Sequence, residues 1–153
     1  MAVIDETTPE GKRFYQELKK LGELMSHAGF QQGQGSSEDG VDLVDIAAFN
    51  EVGTSRAPSR PFMRKSVDDN KDKIIAFCQA QIGKLCDGTT TAEQILKEIA
   101  VFQKGLIQET IVDGEFEPNA ESTIRKKKSD KPLIDTGRMR QSVMTVIDKK
   151  GRA

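Results

Sequence analysis

The chain has 153 residues, 24 acids against 23 Lys and Arg, a formal net charge of −1, a single His and two Cys. That length suits one domain, residues 1–153, with a core of its own. The near-neutral charge excludes a role coating nucleic acid wholesale, and one His argues against a Cys/His zinc centre or a multi-His metal site. No apolar run approaches the roughly 18–20 residues of a membrane-spanning helix, and the acidic stretch Met1–Glu10 has no apolar h-region. The expectation is a chain made in the cytoplasm of its producing cell, with no membrane partner.

The first helix is predicted over Thr8 to about Met25. Thr8 caps, Pro9 suits the first helical position and Glu10 favours the positive end. Phe14, Leu18, Leu21 and Met25 recur on one face. A short strand is expected over Ser26–Gln32. Residues 33–40 (GQGSSEDG) read as a flexible loop with nothing to bury. Asp39 then caps a helix over Val41–Asn50, whose Leu43, Ile46, Ala47 and Asn50 share a face, and Gly53 stops it. Residues 54–61 (TSRAPSRP) hold Pro58 and Pro61 and read as an extended arm.

A long helix is predicted from Phe62 to Leu85, with Met63, Val67, Ile74, Cys78, Ile82 and Leu85 as its stripe. Cys78 and Cys86 lie about 12 Å apart along that axis, too far for a disulfide, and read as small core residues in a reducing compartment. Asp87-Gly88 ends the helix. Thr90 and Glu93 form a capping box for the next one, with Ile95, Ile99, Phe102, Leu106 and Ile111 on its face. The short connection predicts a long antiparallel helix pair. Asn119 is expected to cap a short helix through Lys128, and Asp135 or Thr136 to cap one more turn. Ser142–Asp148 alternates as a strand does, and residues 149–153 read as a frayed tail. The fold class is α+β: a helix-rich domain with a small antiparallel sheet.

No catalytic constellation stands out. His27 has no nucleophile-elbow motif to serve and reads as a surface or capping residue. Gly33-Gln34-Gly35 lacks the lysine and later glycine of a phosphate loop, and Asp68, Asp69 and Asp72 read as a solvated helix face. The expectation is a non-enzyme with no cofactor and no metal.

Three blocks do depart from generic globular sequence. The first is Ile46 to Thr54, containing Ala47-Ala48-Phe49-Asn50-Glu51-Val52-Gly53-Thr54. The second is Pro58-Ser59-Arg60-Pro61-Phe62-Met63-Arg64. The third runs from Ser122-Thr123-Ile124-Arg125-Lys126-Lys127 through Lys131-Pro132-Leu133-Ile134-Asp135-Thr136-Gly137-Arg138 to Ser142. In this order and spacing they resemble the Mu-type virion morphogenesis proteins and the related neck and tail-completion proteins of long-tailed phages. The likeness covers about residues 40–148. It departs at Glu117-Pro118-Asn119-Ala120, where the family often carries a proline-rich segment.

The resemblance implies a small α+β virion subunit, assembled in the host bacterial cytoplasm, that forms a homo-oligomeric ring at the head–tail junction or the tail end. Its partners would be other neck, connector or tail-tube proteins, and its lumen would pass DNA. Sixfold order is favoured over twelvefold. A DNA-binding accessory protein using residues 125–140, or a minor tail protein, are the competing readings.

Glu51, Gly53, Arg60, Pro61, Phe62, Leu133, Asp135, Thr136, Gly137 and Arg138 are the candidate subunit-interface residues. The rigid arm could grip a neighbour, with Arg60 as a fork for a carboxylate and Phe62 as an anchor, or could simply lead into the long helix with Phe62 in its own core. Asp135-Thr136-Gly137 reads as a cap and tight turn. Glu51 could pair with Arg60, Arg138 or Arg140. Arg125, Lys126, Lys127 and Lys128 are either a solvated helix face or the lining of a DNA-facing lumen.

Overall fold

The computed structural model describes residues 7–127 and 129–151. Among these, seven helices and a two-stranded antiparallel sheet form a helix-rich α+β fold. The chain divides into two compact units. One comprises residues 1–28, 71–103 and 145–153, and the other residues 29–70 and 104–144.

In the first unit, α1 spans Pro9–Glu23, β1 Leu24–Gly29, α4 Lys71–Cys86 and β2 Met144–Lys149, and the first half of α5 (Ala92–Asp113) belongs here too. Thr8 caps α1 as expected: its Oγ1 accepts from Gly11 N at 3.0 Å. The strand begins two residues earlier than predicted and pairs with β2. Lys150 N extends that pairing to Glu23 O at 2.9 Å. The apolar face of α1 is only partly buried. Leu18 is exposed, whereas the charged Glu17 is 8% exposed.

Glu17 is buried because it has work at the start of α5. Its Oε2 accepts from Ala92 N at 2.8 Å and its Oε1 from Lys20 Nζ at 2.8 Å. One of the amide donors that every helix start leaves open is thereby satisfied from another element. The predicted capping box is displaced by one residue. Thr91 Oγ1 accepts from Gln94 N at 3.3 Å, while Thr90 Oγ1 is buried with no hydrogen-bond partner.

The Lys20 hydrogen bond, then the Ala92 amide, hold the Glu17 carboxyl below its ordinary value of 4.5. A depressed carboxylate contributes stability that is present above its unfolded-state value and lost as pH falls through the folded one. Urea unfolding between pH 7 and pH 3 should therefore show a steeper acid loss in the wild type than in Glu17→Gln. Parallel curves would remove the argument.

The helices α4 and α5 do pair in antiparallel fashion. Phe77 and Phe102 stack at 4.3 Å with planes 4° apart, and Lys84 Nζ meets Glu98 Oε2 at 3.3 Å. The buried positions of α4 are Gln81 and Leu85, so the predicted stripe is rotated: Ile82 is exposed, as is Cys86. The cysteines are free, as the spacing required, but Cys86 is no core residue.

In the second unit lie α2 (Leu43–Val52), α3 (Phe62–Asp68), the rest of α5, α6 (Glu121–Lys127) and α7 (Arg138–Gln141). The long helix expected from Phe62 to Leu85 is broken at Asp69-Asn70. There the Asn70 side chain turns back to donate to Ser66 O at 3.0 Å, the kind of local bond that competes with helix continuation. The stripe is displaced in α3 too, where Phe62 and Ser66 are buried and Val67 is exposed.

Asp42, rather than Asp39, caps α2. Its Oδ1 accepts from Val44 N at 3.0 Å and its Oδ2 from Gly33 N at 2.8 Å, which hold its carboxyl below the ordinary value, the Gly33 bond most strongly. Residues 33–40 are accordingly a pinned turn. Leu43 N donates to Gly35 O and Ser37 N to Val41 O. The core of this unit is built from Leu43, Ala47, Phe62, Leu106, Ile107, Ile111, Leu133, Met139 and Val143. Of the expected tail, Lys149 closes β2, and residues 152 and 153 lie outside the described residues.

Candidate functional site

The blocks that carry the family resemblance meet in the second unit. The first two form a self-locked elbow. Gly53 adopts φ 78°, and a Cβ there would sit 2.7 Å from Ser59 N, so only glycine fits both the left-handed backbone and the close approach. Ser59 Oγ donates to Glu51 O at 2.7 Å, and Arg60 N to Asn50 O at 2.6 Å. Among the described residues, Glu51 forms no ion pair with an arginine side chain. Its carboxylate accepts from Met63 N at 2.8 Å and Arg64 N at 3.1 Å. It thus caps α3, whose leading residue Pro61 offers no side-chain acceptor, and favourably faces that helix's positive end.

Arg60 and Phe62 both point into their own chain. Arg60 is 6% exposed. Its Nε donates to Glu117 O at 2.9 Å and its Nη2 to Pro118 O at 3.2 Å. Burial draws its guanidinium below the ordinary value, opposed by the Glu117 carboxylate. Phe62 is 0% exposed and meets Phe30 edge to face at 5.9 Å. The reading of these two residues as an arm gripping a neighbour is therefore corrected. Arginine fixes the loop that follows α5, and phenylalanine anchors α3 in the core.

The third block packs on α2 through α7. Gly137, at φ 77°, begins α7 with no side-chain cap. Asp135 and Thr136 do not cap it and stay exposed. Nor does Asn119 cap α6, whose first bonds run from Thr123 N and Ile124 N to Ala120 O. Instead its Nδ2 reaches Lys131 O at 3.5 Å, bracing the loop.

Between the turn at residues 37–41 and the segment 132–138 opens a cleft of about 470 Å³. Leu43, Ile46, Phe49, Leu133 and Met139 supply its apolar lining. Arg138 spans toward the opposite wall, its Nη1 3.4 Å from Ser36 O. Lys127 also lines the cleft and is half-buried. Its Nζ lies 3.4 Å from Pro132 O. Burial lowers its pKa, Asp135 opposes that and Arg60 adds to it.

The basic run is thus no uniform face. Arg125 and Lys126 are exposed, Lys127 turns inward, and Lys128 lies outside the described residues.

The cleft draws together Leu133, Asp135, Thr136, Gly137 and Arg138 from the expected interface set, but neither Arg60 nor Phe62. Sequence reasoning missed Glu38, Asp39, Phe49 and Lys127 as its lining. The available signal was Phe49 itself, an aromatic off the buried face of a short helix. Phe49 is 53% exposed and Val52 74% exposed, with Val41 exposed at the other end of α2. No family model matches the chain, and neither a curated protein nor a solved structure matches it.

Proposed function

We propose that this chain is a non-catalytic structural subunit of a tailed-phage particle, assembling into a ring at the head–tail junction or the tail end. The observation that carries the reading is a convergence. Parts of the second and third blocks, α3 and α7, pack against α2, which carries most of the first, and leave Phe49 and Val52 exposed beside an apolar-lined cleft. Single exposed apolar side chains are ordinary. Phe49 and Val52, one turn apart on α2, with Val41 just before its cap, lie exposed next to a concavity and make a surface suited to burial by another subunit.

In such a ring Arg125 and Lys126 would offer charge to passing phosphates without reading bases. Lys127 contributes to the cleft instead.

Native mass spectrometry tests the reading. The wild type is expected as a closed ring, sixfold before twelvefold. Phe49→Glu should be monomeric with an unchanged far-ultraviolet spectrum, because Phe49 is more than half exposed and is not one of the buried core residues. A wild type still monomeric at roughly 100 µM, weaker than specific assembly requires, would sink it.

A further inference from the structure

Two turns flank α2, one at each end, and they carry opposite charge. At the C-terminal end the elbow closes into a tight turn. Thr54 N donates to Ala57 O at 2.9 Å, and Thr54 Oγ1 accepts from Arg56 N at 3.2 Å and Ala57 N at 3.1 Å. Gly53 leads into this turn in a backbone that only glycine tolerates here, and Pro58 follows it. The turn presents Arg56, which is exposed and whose guanidinium makes no hydrogen bond or ion pair among the described residues.

At the N-terminal end, roughly 15 Å away for a helix of this length, the turn leading into α2 presents Glu38 and Asp39. Both are exposed, both line the cleft, and their carboxylates have no partner among the described residues. The remaining charges of the cleft are already engaged. Lys127 feels Asp135 and reaches Pro132 O, and Arg138 reaches Ser36 O.

We propose that the Arg56 turn of one copy docks against the Glu38–Asp39 wall of the cleft on the next, so that copies associate head to tail along α2. This deepens the ring reading and rests on it. A contact between two different patches of the same chain is heterologous, and such a contact closes into a ring when its rotation permits. The guanidinium is a planar fork that suits carboxylates. A turn already held by its own hydrogen bonds loses little freedom on docking. The same approach would cover Val41 and Phe49, which supply apolar area beside the charges.

Rim charges govern specificity and encounter more than raw affinity, so charge reversal is the informative change. Oligomer dissociation is measured by native mass spectrometry and analytical ultracentrifugation on the full chain. Arg56→Glu should weaken assembly by about tenfold or more, as should Glu38→Arg with Asp39→Arg. The triple variant, with the charges exchanged, should return to within about threefold of the wild type. All three sites are exposed, and unchanged thermal melts would confirm that folding is intact.

If the wild type forms rings and Arg56→Glu forms them equally well, the docking is wrong while the ring survives. If each reversal weakens assembly and the triple variant fails to restore it, the two surfaces do not meet and the docking is again wrong. A monomeric wild type removes both.

Discussion

Phe62→Ala is expected to cost about 3–5 kcal/mol of unfolding free energy, the range for truncating a fully buried aromatic. Its ring has no exposed surface and sits edge to face on Phe30 with planes 87° apart. Removing it opens a hole at the first residue of α3, where Glu51 also anchors the helix start. Urea unfolding should show a lower midpoint with an unchanged slope, the signature of lost stability rather than an altered denatured state. The Phe30→Ala,Phe62→Ala double variant should fall short of additivity, because aromatic pairs of this geometry carry about 0.5–1.5 kcal/mol of coupling. A loss below about 1 kcal/mol for Phe62→Ala would return this residue to the role of an external anchor.

Arg60→Ala should be nearly as damaging, at about 2–4 kcal/mol, and for a different reason. The substitution removes two charge-assisted hydrogen bonds, to the carbonyls of Glu117 and Pro118 in a part-buried setting, and bonds to a charged group carry about 1.5–3 kcal/mol each. It also removes the packed stem of the side chain. Arg60→Leu should restore little, since it replaces the stem and not the donors. The loss belongs to the monomer, so any fall in assembly should track the folded fraction measured in the same samples. An Arg60→Ala protein with wild-type stability that fails to oligomerise would overturn this and make Arg60 an interface residue after all. The contrast with Arg56 is direct: two arginines four positions apart, one holding the chain's own loop and the other presented outward.

Much of the local structure was legible before folding. Thr8 and Pro9 marked the start of α1, Gly53 marked the end of α2, and the periodicity of Ile95, Leu106 and Ile111 found the buried face of α5. These signals act within one or two helical turns. The errors cluster where two neighbouring side chains could do the same job. Thr90 and Thr91 can each cap α5, as Asp39 and Asp42 can each cap α2, and local chemistry ranks them almost equally. The choice fell to Thr91 and Asp42, the latter because its second oxygen also holds Gly33 N. The displaced stripes of α3 and α4 share a cause. Residues such as Val67 and Ile82 fit the period, yet burial of Ser66 and Gln81 shows that packing partners set the face.

What the residue order determined by itself is the α+β class and the approximate helices; the three blocks on which the proposed role rests were also visible there. Tertiary structure alone decided what the charged side chains do inside the chain. Glu17 reaches an amide 75 positions away, Arg60 a carbonyl 57 positions away, and Glu51 the start of a helix 12 positions on. Periodicity and capping preferences report on near neighbours along the backbone. Whether a charged side chain ends up holding its own fold or facing outward depends on which distant backbone group arrives beside it, and only the folded chain brings the two together.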